Sequence, residues 1–251
     1  MKLYENIVIG NFLFALGYRI RTKKSVETLN GSVNLLQQTP EDKALGDVLV
    51  NLSGIVRLIE FKAQGASMSK EEKRHDRLCQ AISKKAAEAE GRQSCLCKAI
   101  EGTHLEAVSR DIHWYIESKA DEKALRTRIV PYLDAFPRPR GPKVQRLETF
   151  VDTLACEVAE GDVRHSKEDV KEYLKLVRLT MGSGAVGSGG LLLVAEPEGG
   201  LVFAPMLDLM ELDMHHGHWL HHRNNLEQAL SQKLEREFKL ERHQEYDGPS
   251  L

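Results

Sequence analysis

A chain of 251 residues is long enough to bury a sizeable core and to form one or two domains. Its 35 Lys and Arg against 37 Asp and Glu leave a formal net charge of -2, so the overall balance does not advertise a nucleic-acid binder. Local basic clusters have to carry that argument. The four cysteines, Cys79, Cys95, Cys97 and Cys156, have neither the CxxC spacing of a zinc site nor the density of a disulfide scaffold. They read as reduced cytoplasmic thiols.

The N-terminal run LYENIVIGNFLFALGY predicts a mostly buried helix from Leu3 to Gly17, with Gly17 as its stop and Glu5 as its one acid. Residues 7–16 follow Lys2 as the core of a secretion signal would. Glu5, the interrupting Asn11, and Arg19-Ile20-Arg21 in place of a small-residue cleavage site argue against one. No stretch approaches the length of a membrane-spanning helix, so no membrane is expected as a partner. Arg19, Arg21, Lys23 and Lys24 follow as a small basic cluster, suited to a phosphate backbone but equally to a solvated loop. Asn30-Gly31 predicts a hairpin turn, with a first strand over Val33–Gln37.

Asp47–Lys62, DVLVNLSGIVRLIEFK, contains two β-rich apolar runs around a turn-prone Asn51-Leu52-Ser53-Gly54. This predicts an antiparallel hairpin centred near Ser53. Asp47 then lies opposite Glu60, while alternation puts Glu60 and Lys62 on one face and Phe61 in the core. Two carboxylates and an ammonium gather at the end of an apolar hairpin, a costly placement unless they hold a metal ion. Gln64 lies two residues past Lys62, on the same strand face. Ser69 followed by Glu72 resembles a capping box and opens a charged helix that runs to about Glu90. Lys70, Lys73, Arg74, His75 and Arg77 in its first half could face a bound backbone or pair along the surface with Glu71, Glu72 and Asp76. Ser94–Ile100 and Asp111–Glu117 read as strands, the second with His113 and Tyr115 on its outer face, and a short helix is expected over Asp121–Phe136.

An Asp heading one strand and Glu-x-Lys ending the next resembles the PD-(D/E)XK superfamily of nucleases. Gly46 stands where that family often has Pro. The likeness covers the motif and roughly the first half of the chain, and the expected order of helix, strand, hairpin, helix, strand agrees with the superfamily's αβββαβ core. The resemblance implies Mg²⁺, with Mn²⁺ as an alternative, held by Asp47 and Glu60. Glu5 would join the metal through its water shell, and Lys62 would position water or stabilise charge in the transition state. It also implies nucleic acid as substrate, DNA foremost, with contacts expected from Arg19, Arg21, Lys23, Gln64 and Lys73, and a setting in antiviral defence. Glu5 has another reading, as a solvated carboxylate favoured by the helix dipole.

Three prolines and a glycine in 137–142 predict a stiff linker, dividing a nuclease-like domain over 1–136 from a mostly helical region over 143–251. Helices are expected at Lys143–Glu160 and Ser166–Met181. The glycine-rich 182–190 lacks the Gly-Lys-Ser/Thr of a nucleotide loop. Leu191–Ala195 and Leu201–Ala204 predict a small hairpin. His215, His216, His218, His221 and His222 lack the HExxH of a zinc protease, and an amphipathic helix accounts for them as well as a metal does. Leu226, Leu230, Leu234 and Phe238 repeat every four residues, a face for packing on the body, a second copy or another protein. The fold class is therefore α+β and the expected activity a metal-dependent nuclease. The alternative is a non-catalytic protein of the same fold that binds or assembles through its C-terminal helices.

Overall fold

The computed structural model describes residues 3–23, 29–35, 47–63, 68–90, 96–120, 124–136, 146–181, 190–195 and 201–206. The hairpin is the centre of the architecture. Strand β2 (Val48–Leu52) turns at Ser53-Gly54 into β3 (Ile55–Ala63), with Leu52 opposite Ile55 and Val48 opposite Ile59. Both turn residues have positive φ, 51° and 88°, as a two-residue type I′ hairpin demands. Alternation then divides the side chains. Val48, Val50, Leu52, Ile55, Ile59 and Phe61 enter one core, while Leu49, Val56 and Leu58 enter another.

Both faces of the hairpin are therefore buried, and helices cover each. Helix α1 (Glu5–Arg21) contributes Val8, Ile9, Phe12, Leu16 and Ile20 to the first core. Helix α4 (Leu147–Glu160) adds Phe150, Val151, Leu154, Ala155 and Val158. Across the sheet lie α2 (Ser69–Glu90), α3 (Leu96–Ile112) and α5 (Lys167–Met181). Strand β4 (His113–Ala120) pairs with β3 in parallel, and the α2–α3 pair makes the crossover that a parallel pair requires. With β1 (Leu29–Leu35), β5 (Leu125–Pro131), β6 (Gly190–Ala195) and β7 (Leu201–Met206), the described strands form one mixed sheet in the order β5-β4-β3-β2-β1-β6-β7. The chain is thus an α+β protein. Among the described residues no helix is long and apolar enough to cross a membrane.

Several expected elements are corrected. Helix α1 continues past Gly17 to Arg21, because Ile20 is buried and the cations Arg19 and Arg21 suit the negative end of the helix dipole. Asn30-Gly31 does not turn but lies inside β1. A Cβ at Gly31 would collide with the Asn51 carbonyl oxygen, so glycine is there for close strand approach. The strand expected at Ser94–Ile100 is instead the start of α3, whose buried Leu105, Val108 and Ile112 recur at helical spacing. The helix expected over Asp121–Phe136 is replaced by β5 and a short 3-10 turn, Tyr132–Asp134. Thr127 and Ile129 are buried in alternation, and Pro131 is tolerated because β5 is an edge strand. The order is αβββααββ rather than αβββαβ.

The division expected at 137–142 also changes. Helix α4 shares a core with α1, α5 shares one with α2 and α3, and β6 extends the main sheet by pairing with β1. One compact unit runs over residues 1–212, so 137–142 connects parts of a single body. The β6–β7 hairpin is part of that sheet and not a separate feature. Gln64, the glycine-rich 182–189, the His215–His222 cluster and the repeat of Leu226, Leu230, Leu234 and Phe238 lie outside the described residues.

Candidate functional site

Strand β3 outruns its partner. The pairing with β2 ends at Val48 opposite Ile59, so the last residues of β3 continue with no β2 residue beside them. Two carboxylates take up the main-chain donors there. Phe61 N donates to Asp47 Oδ2 at 2.7 Å, and Ala63 N donates to Glu5 Oε1 at 3.1 Å. Asp47 at the head of β2 and Glu5 in the first turn of α1 thus meet at the same strand end. Glu5 acts there as a direct main-chain acceptor.

On the α2 side of the sheet, Glu60 and Lys62 project together and Asp47 stands abreast of Glu60. Lys62 Nζ donates to a Glu60 carboxylate oxygen and to the Phe61 carbonyl at 3.0 Å, and it lies 3.7 Å from Asp47 Oδ2. Helix α2 brings a third acid: Glu71 Oε2 is 3.9 Å from the same ammonium. Arg74, one turn further on, lies 3.4 Å from Glu71 and 3.9 Å from Glu60. The other Glu71 oxygen accepts from the Tyr132 hydroxyl at 2.6 Å. Tyr132 is in turn stacked on His113, with ring centroids 4.1 Å apart and planes within 2°.

Asp47, Glu60 and Glu71 are each at least 96 % buried, whereas the side chains of Lys62 and Arg74 keep 15 % and 21 % exposure. Three acids therefore face two cations away from bulk water. Burial, with Asp47 and Glu71 adding like charge, pushes the Glu60 carboxyl well above its ordinary value, and Lys62 offsets this only in part. Burial weakens the Lys62 ammonium, but Glu60 and Asp47 more than compensate and hold it above its ordinary value. Burial and the neighbouring Glu71 likewise keep the Tyr132 phenol protonated. Carboxylate oxygens in acidic surplus suit a hard divalent cation such as Mg²⁺ or Mn²⁺ completed by water. Among the described residues, no group of three or more His, Cys, Asp or Glu side chains is arranged to hold a metal ion directly. The Lys62 ammonium lies among the three carboxylates.

Asp47, Glu60 and Lys62 thus come together, with Glu5 at the same strand end, and of the expected nucleic-acid contacts Arg19, Arg21, Lys23 and Lys73 do not join them. Arg19, Arg21 and Lys23 sit at the far end of α1 from Glu5, about 21 Å along the helix from Glu5 to Arg19 at 1.5 Å per residue. Arg19 is paired there with Asp152 and Lys23 with Cys156 Sγ. Lys73 is exposed, about 200° around α2 from Glu71, and faces away from the site. His113, expected on an outer face, is buried. Its Nδ1 lies 2.8 Å from the Tyr173 hydroxyl, and desolvation pulls the imidazole down to about 3, so it stays neutral.

Three contributors were not anticipated. Glu71 read as a surface partner in the sequence, Arg74 as either a surface partner or a backbone contact, and Tyr132 fell within a helix that does not form. A usable signal for Glu71 existed: it is an acid in the first turn of the helix that follows Glu-x-Lys, where a short connection returns the chain to the strand end. Comparisons of this chain with family models, with curated proteins and with solved structures found no match.

Proposed function

We propose that the chain is a metal-dependent nuclease that hydrolyses phosphodiester bonds, with DNA as the first substrate to test. One observation carries this reading. Asp47, Glu60 and Lys62, named by the PD-(D/E)XK resemblance, converge on one side of the β3 end, with Lys62 bonded to Glu60 and 3.7 Å from Asp47.

Asp47 and Glu60 would hold the cation, with Glu71 and Glu5 close enough to the strand end to take part through water. A bound Mg²⁺ would polarise the phosphoryl oxygen and lower the pKa of a bound water. The chain's own residues do the rest. The main-chain donor of Phe61 fixes Asp47, and Tyr132 together with Arg74 fixes Glu71. Lys62, once the carboxylates turn to the cation, is positioned to place a water or to stabilise charge developing on phosphate oxygens.

A second reading rests on Lys62 already bonding Glu60: the cluster would be a closed ion-pair network in a non-catalytic protein of the same fold. Cleavage assays on linear, circular and single-stranded DNA and on RNA, with and without Mg²⁺, separate the two. The enzyme requires Mg²⁺-dependent cutting that Asp47→Ala and Lys62→Ala lose while staying folded. Cutting at the parental rate by either variant would reject the assignment, and indifference of both cleavage and melting to Mg²⁺ selects the ion-pair network.

A further inference from the structure

A second charged feature lies on the α2–α5 side of the sheet, apart from the acidic centre. Lys85 of α2 and the outer side of α5 line an open cleft of about 680 Å³, to which α5 contributes Lys171, Glu172, Lys175, Leu176, Arg178 and Leu179. Four cations meet one carboxylate there, in a chain whose formal charge is -2. Glu172 is bonded to Lys85 at the rim. Lys171, Lys175 and Arg178 are spaced one and two turns apart, so they share one face of α5, while Val170, Tyr173, Leu174 and Val177 bury the other. Lysine-rich solvated faces are common, but here the cations come from two helices and converge on a concave surface.

The cleft is also in line with the acidic centre. Arg74 and Lys85 are separated by 11 residues, about three turns, so both project from the same edge of α2 and lie roughly 16 Å apart along it. One end of that edge reaches Glu60 and Glu71 through Arg74, and the other enters the cleft through Lys85. At about 3.4 Å per nucleotide, the span matches roughly five phosphates of one strand.

We propose that the sugar-phosphate backbone of the nucleic-acid substrate is held in the α2–α5 cleft by Lys85, Lys171, Lys175 and Arg178 and runs along the Arg74 edge of α2 to the acidic centre. The inference rests on the nuclease reading and replaces the basic end of α1 as the binding surface. Cations of this kind grip phosphates without reading sequence, and removing any one of them lowers the salt dependence of binding.

The test is fluorescence anisotropy of short labelled DNA, single-stranded and duplex, in a salt titration, using full-length protein carrying Asp47→Ala to prevent cutting. Lys171→Glu with Lys175→Glu and Arg178→Glu should weaken binding at least about tenfold and flatten the salt slope by roughly one for each cation removed. The single Lys175→Ala, at an exposed position, should show a smaller change of the same kind should the triple variant fail to fold. Arg19→Glu with Arg21→Glu should leave affinity and slope unchanged. Affinity and slope that ignore the cleft substitutions overturn the proposal, as does displacement by inorganic phosphate as effective as by DNA at equal phosphate. Binding that follows the cleft charges in a protein whose Asp47-containing parent never cuts would sink the catalytic reading alone. Mg²⁺-dependent cutting with cleft-independent binding would sink this inference alone.

Discussion

Strand β3 carries a buried cation, Arg57, and a half-buried one, Lys62, five residues apart and hence on opposite faces. Arg57 donates to Glu157 at 2.7 Å and to the Val56 carbonyl at 2.8 Å. Arg164 then bridges Glu157, Asp111 and Asp162 at 2.7–3.1 Å, and His165 lies 3.3 Å from Asp111. Each carboxylate there finds its own guanidinium N–H, as the fork of arginine allows. On the other face one ammonium lies among three acids and bonds only Glu60; Asp47 and Glu71 stand 3.7 and 3.9 Å from it, held instead by Phe61 N and by Arg74 with the Tyr132 hydroxyl. Glu60 answers by shifting toward its protonated form. The first cluster fastens α4 to the sheet; the second sets three acids against two cations, the acidic surplus on which the proposed metal site rests.

The largest effect should come from the centre itself. Lys62→Ala should lower Mg²⁺-dependent cleavage by about 10²–10³-fold, the cost of losing one oriented transition-state donor, with an unchanged far-ultraviolet spectrum. Asp47→Ala should lose at least as much, since it removes a cation ligand. Arg57→Ala should do the reverse. It leaves Glu157 half-buried without its main partner and should cost roughly 3–5 kcal/mol in urea unfolding, with cleavage per folded molecule unaltered. If Arg57→Ala also abolished cleavage in protein shown to be folded, the separation between the two clusters would fail.

Removing an acid tests the contrast from the other direction. Glu60→Gln relieves like-charge crowding and should stabilise the metal-free protein by roughly 0.5–2 kcal/mol while ending cleavage, as is common where function holds charge in a strained place. Mg²⁺ should raise the melting temperature of the parent and not of this variant. Glu157→Gln, in the balanced cluster, should destabilise. Equal and opposite results would mean that Lys62 and Arg74 already satisfy the site and that no cation is needed.

The hairpin was legible because a strand buried on both faces still alternates: Glu60 and Lys62 interrupt an apolar run on one face only. The turn near Ser53, helix α2 and the β6–β7 pairing were readable for similar local reasons. Ser94–Ile100 was not, since a short apolar run fits a buried strand or the start of a buried helix equally well, and the stripe of Leu105, Val108 and Ile112 that decides it lies further along. Leu125–Pro131 was missed because its Pro marks an edge strand, a property of the assembled sheet. Glu71 illustrates the general limit. Its spacing fits an exposed helical pair, and only the packing of α2 against the β3 end removes it from water.

The contrast also assumes that His113, stacked on Tyr132 behind Glu71, stays neutral and adds no cation to the Lys62 cluster. With its folded value near 3 against an ordinary 6.5, the unfolded chain binds the His113 proton more tightly than the folded one. Its contribution to stability is therefore full above pH 6.5 and lost as pH falls toward 3. In metal-free protein the parent should lose stability below pH 6.5 relative to His113→Phe, with a slope of at most about 1.4 kcal/mol per pH unit. Stability of the parent that held steady relative to the variant over that window would mean that His113 is charged in the fold and shares in neutralising the acids.

The smallest effect is expected at the basic end of α1. Arg19 and Asp152 form a pair with 47 % and 44 % of their side chains exposed, and such pairs contribute under about 1 kcal/mol. Arg19→Ala should shift the urea midpoint by less than that, and the shift should shrink further in high salt as screening removes what attraction remains. Because α1 carries Glu5 at its other end, the substitution also asks whether that helix transmits charge to the β3 end. Over about 21 Å, roughly two Debye lengths at ordinary ionic strength, the field of one exposed guanidinium is screened. Cleavage by Arg19→Ala should accordingly match the parent at every salt concentration. A salt-dependent loss would show instead that the far end of α1 touches the substrate.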